Sequence, residues 1–138
     1  MQIKRKATAV WNGSGKEGKG QLTTQSGVLK DTQYGFNSRF ADGIGTNPEE
    51  LIAAAHSGCF SMKLAFNLQD AGLTADEIQT TAVVNLENGS VNQIDMTTSV
   101  KAEGLTAEKL EELATNAKEN CPISKLLNAN ISLTTNLL

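Results

Sequence analysis

Apolar and polar residues change rhythm along the chain, and the changes divide it into elements. From Gln2 to Trp11 the two kinds partly alternate, as in a strand with one covered face, and Asn12-Gly13-Ser14-Gly15 turns the chain back. Gly18 to Thr24 reads as a second strand, so residues 2–24 predict a hairpin with a lysine-bearing loop. Val28-Leu29 and Gln33 to Asn37 predict a further short strand, which Ser38-Arg39-Phe40 follows. A glycine-containing loop from Ala41 to Thr46 leads into a different pattern. Asn47 is a good N-cap, Pro48 suits the first helical position, Glu49 and Glu50 put negative charge on the positive end of the helix dipole, and Gly72 closes the segment. Between these signals the chain is apolar over most of a helical circumference. The predicted element is one long, central, buried helix over 47–72, with Ala53, Ala54, Ala55 and Gly58 leaving room for another backbone.

Alternation returns at Asp76–Leu86 and Val91–Ala102, with Glu87-Asn88-Gly89-Ser90 between them, and Asn-Gly is a strong hairpin signal. Thr106 caps a second helix with Leu110, Leu113, Ala114 and Ala117 on one face, ending near Asn120. Pro122 then starts a fresh helical turn with Cys121 as its N-cap. Asn130 to Leu137 predicts a last strand. The fold class is α+β: hairpin, short strand, long helix, hairpin, helix, short helix, strand, with no βαβ series and no repeat. At 138 residues the chain is expected to form one domain, 1–138.

Composition narrows the function. A net charge of −3, with the 12 lysines and arginines scattered, argues against nucleic acid as a partner. No uninterrupted apolar run of about 18 residues is present, and Met1-Gln2-Ile3-Lys4-Arg5-Lys6 has no apolar stretch behind its charges to make a signal peptide. A soluble, cytoplasmic protein is expected, with no membrane partner. Two cysteines, 62 positions apart, are too few for a disulfide scaffold, and in a reducing compartment such a pair is either inert or redox-active. One histidine and two cysteines without CxxC or HxxxH spacing make a poor zinc set.

A thiol reacts as its thiolate and needs something to lower its pKa. Cys121 has its own helix N-terminus nearby. Cys59 lies too far into the long helix for the first-turn dipole to reach it, and Phe60 and Ala55 would raise its pKa. It is then either a small core hydrophobe or a thiol served by an outside cation. Arg39, one of only two arginines, is one candidate; flanked by Phe36 and Phe40, it is either held in place or an ordinary surface arginine over two rings. His56, three residues before Cys59, is the other candidate, or a plain core histidine. An arginine near apolar surface calls for a carboxylate, and Glu49 and Glu50 are available. Ten helical residues separate Glu49 from Cys59, roughly 15 Å along the axis. A carboxylate, an arginine and Cys59 can share a site only if the helix breaks or another subunit supplies the carboxylate. The small residues Ala53 to Gly58 suit two such helices packed antiparallel about a two-fold axis, which predicts a homodimer with composite sites.

The segment Thr46-Asn47-Pro48-Glu49-Glu50-Leu51-Ile52-Ala53-Ala54-Ala55-His56-Ser57-Gly58-Cys59-Phe60-Ser61-Met62 strongly resembles the signature of the OsmC/Ohr family, the osmotically inducible and organic-hydroperoxide-resistance thiol peroxidases. Ser26-Gly27-Val28-Leu29, Tyr34-Gly35-Phe36-Asn37-Ser38-Arg39-Phe40 and Cys121-Pro122-Ile123-Ser124 resemble the OsmC branch in particular, and the similarity spans essentially the whole chain. The resemblance implies an OsmC-like fold, an intertwined homodimer with two central helices wrapped by antiparallel sheets. It implies that Cys59 is the peroxidatic thiol, that Cys121 resolves it, and that Glu49 and Arg39 are the acidic and basic site residues. The Ohr branch takes its arginine from the first hairpin, where this chain has only Lys16 and Lys19. The stretch from Leu86 to Val91 is compact, so a loop present in some relatives is expected to be short here.

By the same resemblance, Cys59 thiolate attacks the terminal oxygen of an organic hydroperoxide, with hydrogen peroxide a poorer substrate, and becomes a sulfenic acid as alcohol leaves. Cys121 condenses with it to a disulfide, which a dithiol of lipoyl or small-molecule type reduces. No metal, flavin or haem is called for. Phe36, Phe40, Phe60 and Met62 are expected to make the surroundings apolar. Two other readings stay open: a non-enzymatic, stress-linked dimer or small-ligand-binding module of the same fold, and a thiol hydrolase using Cys59 with His56, for which no third residue is evident.

Overall fold

The computed structural model describes residues 1–138 and contains two compact units, Met1–Leu51 and Ile52–Leu138. In the first, β1 (Ala7–Asn12) pairs antiparallel with β2 (Lys19–Thr24), Ala7 opposite Thr24 and Asn12 opposite Lys19. The strand begins at Ala7 and not at Gln2. The backbone bond from Gln25 N–H to Lys6 O, at 3.0 Å, is the last rung beyond the ladder, and residues 2–5 have no strand opposite them. β3 (Thr32–Tyr34) adds to the other edge of β2.

Where the sequence pattern carries this strand to Asn37, the chain instead forms a one-turn helix, α1 (Phe36–Phe40). Ser38 decides the difference: its Oγ accepts from the Gly35 N–H at 2.8 Å and donates to the Gly35 carbonyl at 3.1 Å, a local closure that competes with strand pairing. The loop after it needs a glycine at Gly45, whose φ is +113° and where a Cβ would collide with the Gln33 carbonyl. That close approach lets the Thr46 N–H donate to Gln33 O at 2.9 Å. Asn47 then caps the long helix as its sequence signals require, its Oδ1 accepting from Glu50 N–H at 2.8 Å and its Nδ2 donating to Ser38 O at 3.0 Å.

That helix, α2 (Pro48–Asp70), is unbroken. Gly72, with φ at +78°, ends it in the left-handed conformation common after a helix. In the second unit β4 (Ala75–Glu87) and β5 (Ser90–Ala102) form the expected hairpin, turned by Asn88 (φ +52°) and Gly89 (φ +77°), two consecutive positive-φ residues as a type I′ turn requires. Next come α3 (Ala107–Asn120), capped by Thr106 Oγ1 accepting from Lys109 N–H, the short α4 (Pro122–Leu126) and β6 (Asn130–Leu137). β6 runs parallel to β5, Gln93 opposite Asn130 and Val100 opposite Leu137, giving a β4-β5-β6 sheet that is mixed and not purely antiparallel. Half-buried alternation along a strand does not encode its direction.

The core of this unit is built from three stripes. Phe60, Leu64 and Leu68 repeat every four residues on α2, Ile94, Met96 and Val100 alternate on β5, and Leu110, Ala114 and Ala117 line α3; Cys121 is sealed among them. Thr98 is also fully buried on β5, and its hydroxyl continues through Thr80 Oγ1 at 2.9 Å to Ser61 Oγ at 2.8 Å. α2 is not buried all round, as its composition suggested. His56, Phe60, Leu64, Asn67 and Leu68 face inward, while Ala54, Ala55, Gly58, Met62, Ala65 and Phe66 are exposed along another face. No helix is long and apolar enough to cross a membrane.

Candidate functional site

Chemistry gathers at one place in each unit. In the second, α2 carries Cys59 and the junction between α3 and α4 carries Cys121, and their sulfurs lie 2.8 Å apart as free thiols. The approach follows from local structure. α3 ends at Asn120, Pro122 starts a new turn, and Cys121 between them has extended backbone, so its side chain leaves the helical path and is buried completely. Cys59 is half-buried. Burial pushes its thiol pKa up, the facing Cys121 sulfur adds to the rise, and a hydrogen bond from the Ile123 backbone N–H works in the opposite direction. Within its own unit Cys59 therefore rests as a thiol, and its ionisation needs positive charge from elsewhere.

In the first unit, Arg39 and Glu49 form a salt bridge. Arg39 Nε donates to Glu49 Oε1 at 3.0 Å and Nη2 to Oε2 at 3.2 Å, a two-pronged clamp between α1 and the first turn of α2. Arg39 Cζ also sits 5.1 Å over the Phe40 ring, and Phe40 stacks tilted on Phe36 with centroids 5.0 Å apart. Of the two readings of Arg39, the structure supports the held one. Glu50 plays no part, since its carboxylate accepts from Thr46 Oγ1 at 2.7 Å. Beside the guanidinium is a small cavity of about 90 Å³, walled mainly by Trp11, Tyr34, Phe36, Phe40 and Pro48. Larger clefts along β2 and β3, lined by residues such as Asn12, Lys19, Gln21 and Gln33, contain no thiol or histidine.

Of the four expected site residues, Cys59 meets Cys121 and Arg39 meets Glu49. Phe36 and Phe40 are apolar walls as expected, but Phe60 is wholly inside the core and Met62 faces outward. His56 is fully buried, and burial lowers its pKa, so it is a neutral imidazole and no cation for Cys59. Its Nε2 lies 2.7 Å from Ser124 Oγ and its Nδ1 has no partner. Ile123 and Ser124 are the contributors that reading the sequence did not single out. Their signal was membership of the Cys121-Pro122-Ile123-Ser124 motif, which gave neither of them a role.

An α+β chain that sets a buried thiol against a half-buried one beside a short Pro-initiated turn, and clamps an arginine at the start of its long helix, is a dithiol protein by fold and site. The chain belongs to the family of OsmC-like proteins, whose family model matches residues 41–136. It is 44% identical, over 96% of each chain, to the peroxiredoxin OsmC of Escherichia coli (strain K12). It is 31% identical to the organic hydroperoxide resistance protein OhrB of Bacillus subtilis (strain 168), over 83% of this chain and 85% of that one. The crystal structure of B. subtilis OhrB superposes over 99% of this chain and 98% of that one with a TM-score of 0.67. An organic hydroperoxide resistance protein from Elizabethkingia anophelis, 26% identical, superposes over 100% of this chain and 99% of that one with a TM-score of 0.74.

Proposed function

We propose that this chain is a two-cysteine peroxidase that reduces organic hydroperoxides to alcohols in stress defence. The observation that carries the reading is the 2.8 Å approach of Cys59 and Cys121. Cys59 thiolate attacks the terminal peroxide oxygen, the O–O bond breaks, and the leaving alkoxide takes a proton to become the alcohol, leaving Cys59 as sulfenic acid. Cys121 attacks that sulfur, the disulfide forms, and water leaves. A dithiol then returns both residues to thiols, and one of lipoyl type suits a bridge that two thiolates must open in turn. The names of the relatives, a peroxiredoxin and organic hydroperoxide resistance proteins, support this class of substrate. The aromatic walls beside Arg39 favour an apolar tail over hydrogen peroxide.

Arg39, oriented by Glu49, is the cation that ionises Cys59. Because α2 is unbroken, Glu49 and Cys59 of one chain stand roughly 15 Å apart along the axis. The clamp that serves a given Cys59 therefore comes from a second copy, and the working form is a homodimer. The exposed apolar stripe of α2 supports this, as does Gly58, where an added Cβ would meet nothing in its own chain. A mid-helix glycine costs about 0.5–1 kcal/mol against alanine, a cost with no return inside the monomer. The two units together are read as one OsmC-like domain, 1–138, acting in the cytoplasm, where thiols stay reduced.

The test is one equivalent of cumene hydroperoxide added to the reduced protein, with free thiols counted and bridges mapped by mass spectrometry. Both thiols should disappear into an intrachain Cys59–Cys121 disulfide, Cys121→Ser should stop at sulfenic acid, and Cys59→Ser should not react. Survival of both thiols in excess peroxide would end the reading and leave a ligand-binding dimer of the same fold.

A further inference from the structure

Two side-chain contacts join α2 to the segment that carries the second thiol, and they are one helical turn apart. Cys59 meets Cys121 at 2.8 Å, and His56, three residues earlier on α2, meets Ser124, three residues later in α4, at 2.7 Å. α4 is otherwise lightly held. It has five residues, none fully buried, no side-chain cap, and Leu126 open to solvent; Ile123 alone among them packs against the core. Besides the Ile123 backbone N–H that reaches the Cys59 sulfur, the Ser124 hydroxyl makes the one hydrogen bond from α4 to another element, and it alone involves no sulfur.

His56, by contrast, is sealed completely with Nδ1 unpaired. An unpaired acceptor is tolerated better than an unpaired N–H, so the favoured tautomer carries its proton on Nε2, and His56 donates to Ser124 Oγ. A residue needed only to fill that space would be apolar. Burying an imidazole with one free nitrogen has a cost that its bond to Ser124 offsets in part.

We propose that His56 and Ser124 are positioning residues for resolution, a latch that keeps Cys121 over Cys59 while the sulfur contact itself is broken. The inference rests on the two-cysteine reading above. When Cys59 becomes sulfenic acid, its sulfur gains an oxygen and the 2.8 Å thiol contact is lost. The latch, one turn away, does not involve either sulfur and persists. It holds the Cys121 thiolate in line to attack Cys59 Sγ and expel water, ahead of a second peroxide molecule that would carry Cys59 to sulfinic acid.

The test compares Ser124→Ala, Ser124→Thr and His56→Gln with the wild-type protein in single turnover with cumene hydroperoxide, timing sulfenic acid formation and disulfide closure separately. Ser124→Ala should form sulfenic acid within about twofold of the wild-type rate and close the disulfide about tenfold more slowly, the size expected for one lost hydrogen bond. Its yield of sulfinic acid, read as a 32 Da gain, should rise in proportion, and Ser124→Thr should restore closure. Wild-type closure rates in both Ser124→Ala and a folded His56→Gln would overturn the proposal, as would equal slowing of both steps. Closure driven by diamide gives a readout without peroxide. Slow closure there in Ser124→Ala upholds the latch even if the wild-type protein ignores hydroperoxides, and unchanged closure refutes it whatever the peroxide result.

Discussion

Glu49→Gln separates what the clamp does for stability from what it does for chemistry. The substitution keeps the shape of the side chain and removes the charge that both Arg39 nitrogens grip. Arg39 is 40% exposed and Glu49 13%, and a pair with its guanidinium still in water contributes about 0.2–1 kcal/mol to folding. In a chain of this length about 1 kcal/mol moves Tm by roughly 3–5 °C, so the variant should melt no more than about 5 °C below wild type. The kinetic effect should be larger. A released arginine regains up to about 2 kcal/mol of rotamer freedom, which must be lost again each time the guanidinium meets the Cys59 sulfur. At 1.4 kcal/mol per tenfold this gives a rate of sulfenic acid formation about 10- to 30-fold lower. Arg39→Lys should fall at least as far, because an ammonium cannot make the two-pronged contact. The assay is single-turnover oxidation of Cys59 at pH 7, beside a thermal melt. A Glu49→Gln rate within twofold of wild type would falsify the orienting role, and a fall in Tm beyond about 8 °C would mean the pair is structural.

Gly58→Leu should leave folding of the chain intact, since a Cβ added there meets nothing in the chain and points the side chain away from the core, but should shift sedimentation from dimer to monomer. In that monomer the Cys59 thiol should titrate above the ordinary thiol range, as burial and the Cys121 sulfur dictate, and alkylate more slowly at pH 7 than in the dimer; an unchanged dimer or an unchanged alkylation rate counts against the composite site. His56 has a folded pKa below its unfolded value of about 6.5. The unfolded chain therefore binds a proton first, and the stability tied to the neutral ring is full above pH 6.5, falls as the pH drops below it, and levels off beneath the folded pKa. Urea midpoints at pH 7.5, 6.5 and 5.5 should show this loss in the wild-type protein and a smaller one in His56→Gln; parallel profiles would contradict it. Leu64→Ala, at the centre of the α2 stripe, should lower unfolding free energy by about 3–5 kcal/mol, and a loss under 1.5 would mean the core there is not packed as described.

Local signals carried most of the architecture. Asn47 and Pro48 start α2, Asn88-Gly89 turns the β4–β5 hairpin, Thr106 caps α3 and Pro122 starts α4, and each works through atoms a few residues away, so each is legible in the sequence. The family motif likewise marked Cys59, Cys121, Arg39 and Glu49. The misreadings have the same cause in reverse. Alternation does not say whether a strand has a partner, so β1 lost its first residues; it does not encode strand direction, so parallel β6 was not foreseen; and Ser38 turned an expected strand into α1 through its bonds to Gly35.

What only the tertiary structure decided is which side chains meet across long stretches of chain. The separation of 62 positions between the thiols gave no reason to choose an inert pair over a facing one until α4 was laid against α2. His56 had two readings, cation for Cys59 or core residue; burial, a property of the packed fold alone, made it neutral and turned it toward Ser124. Caps and turns are short-range and written in adjacent residues, whereas desolvation and thiol–thiol approach depend on segments that sequence order keeps apart.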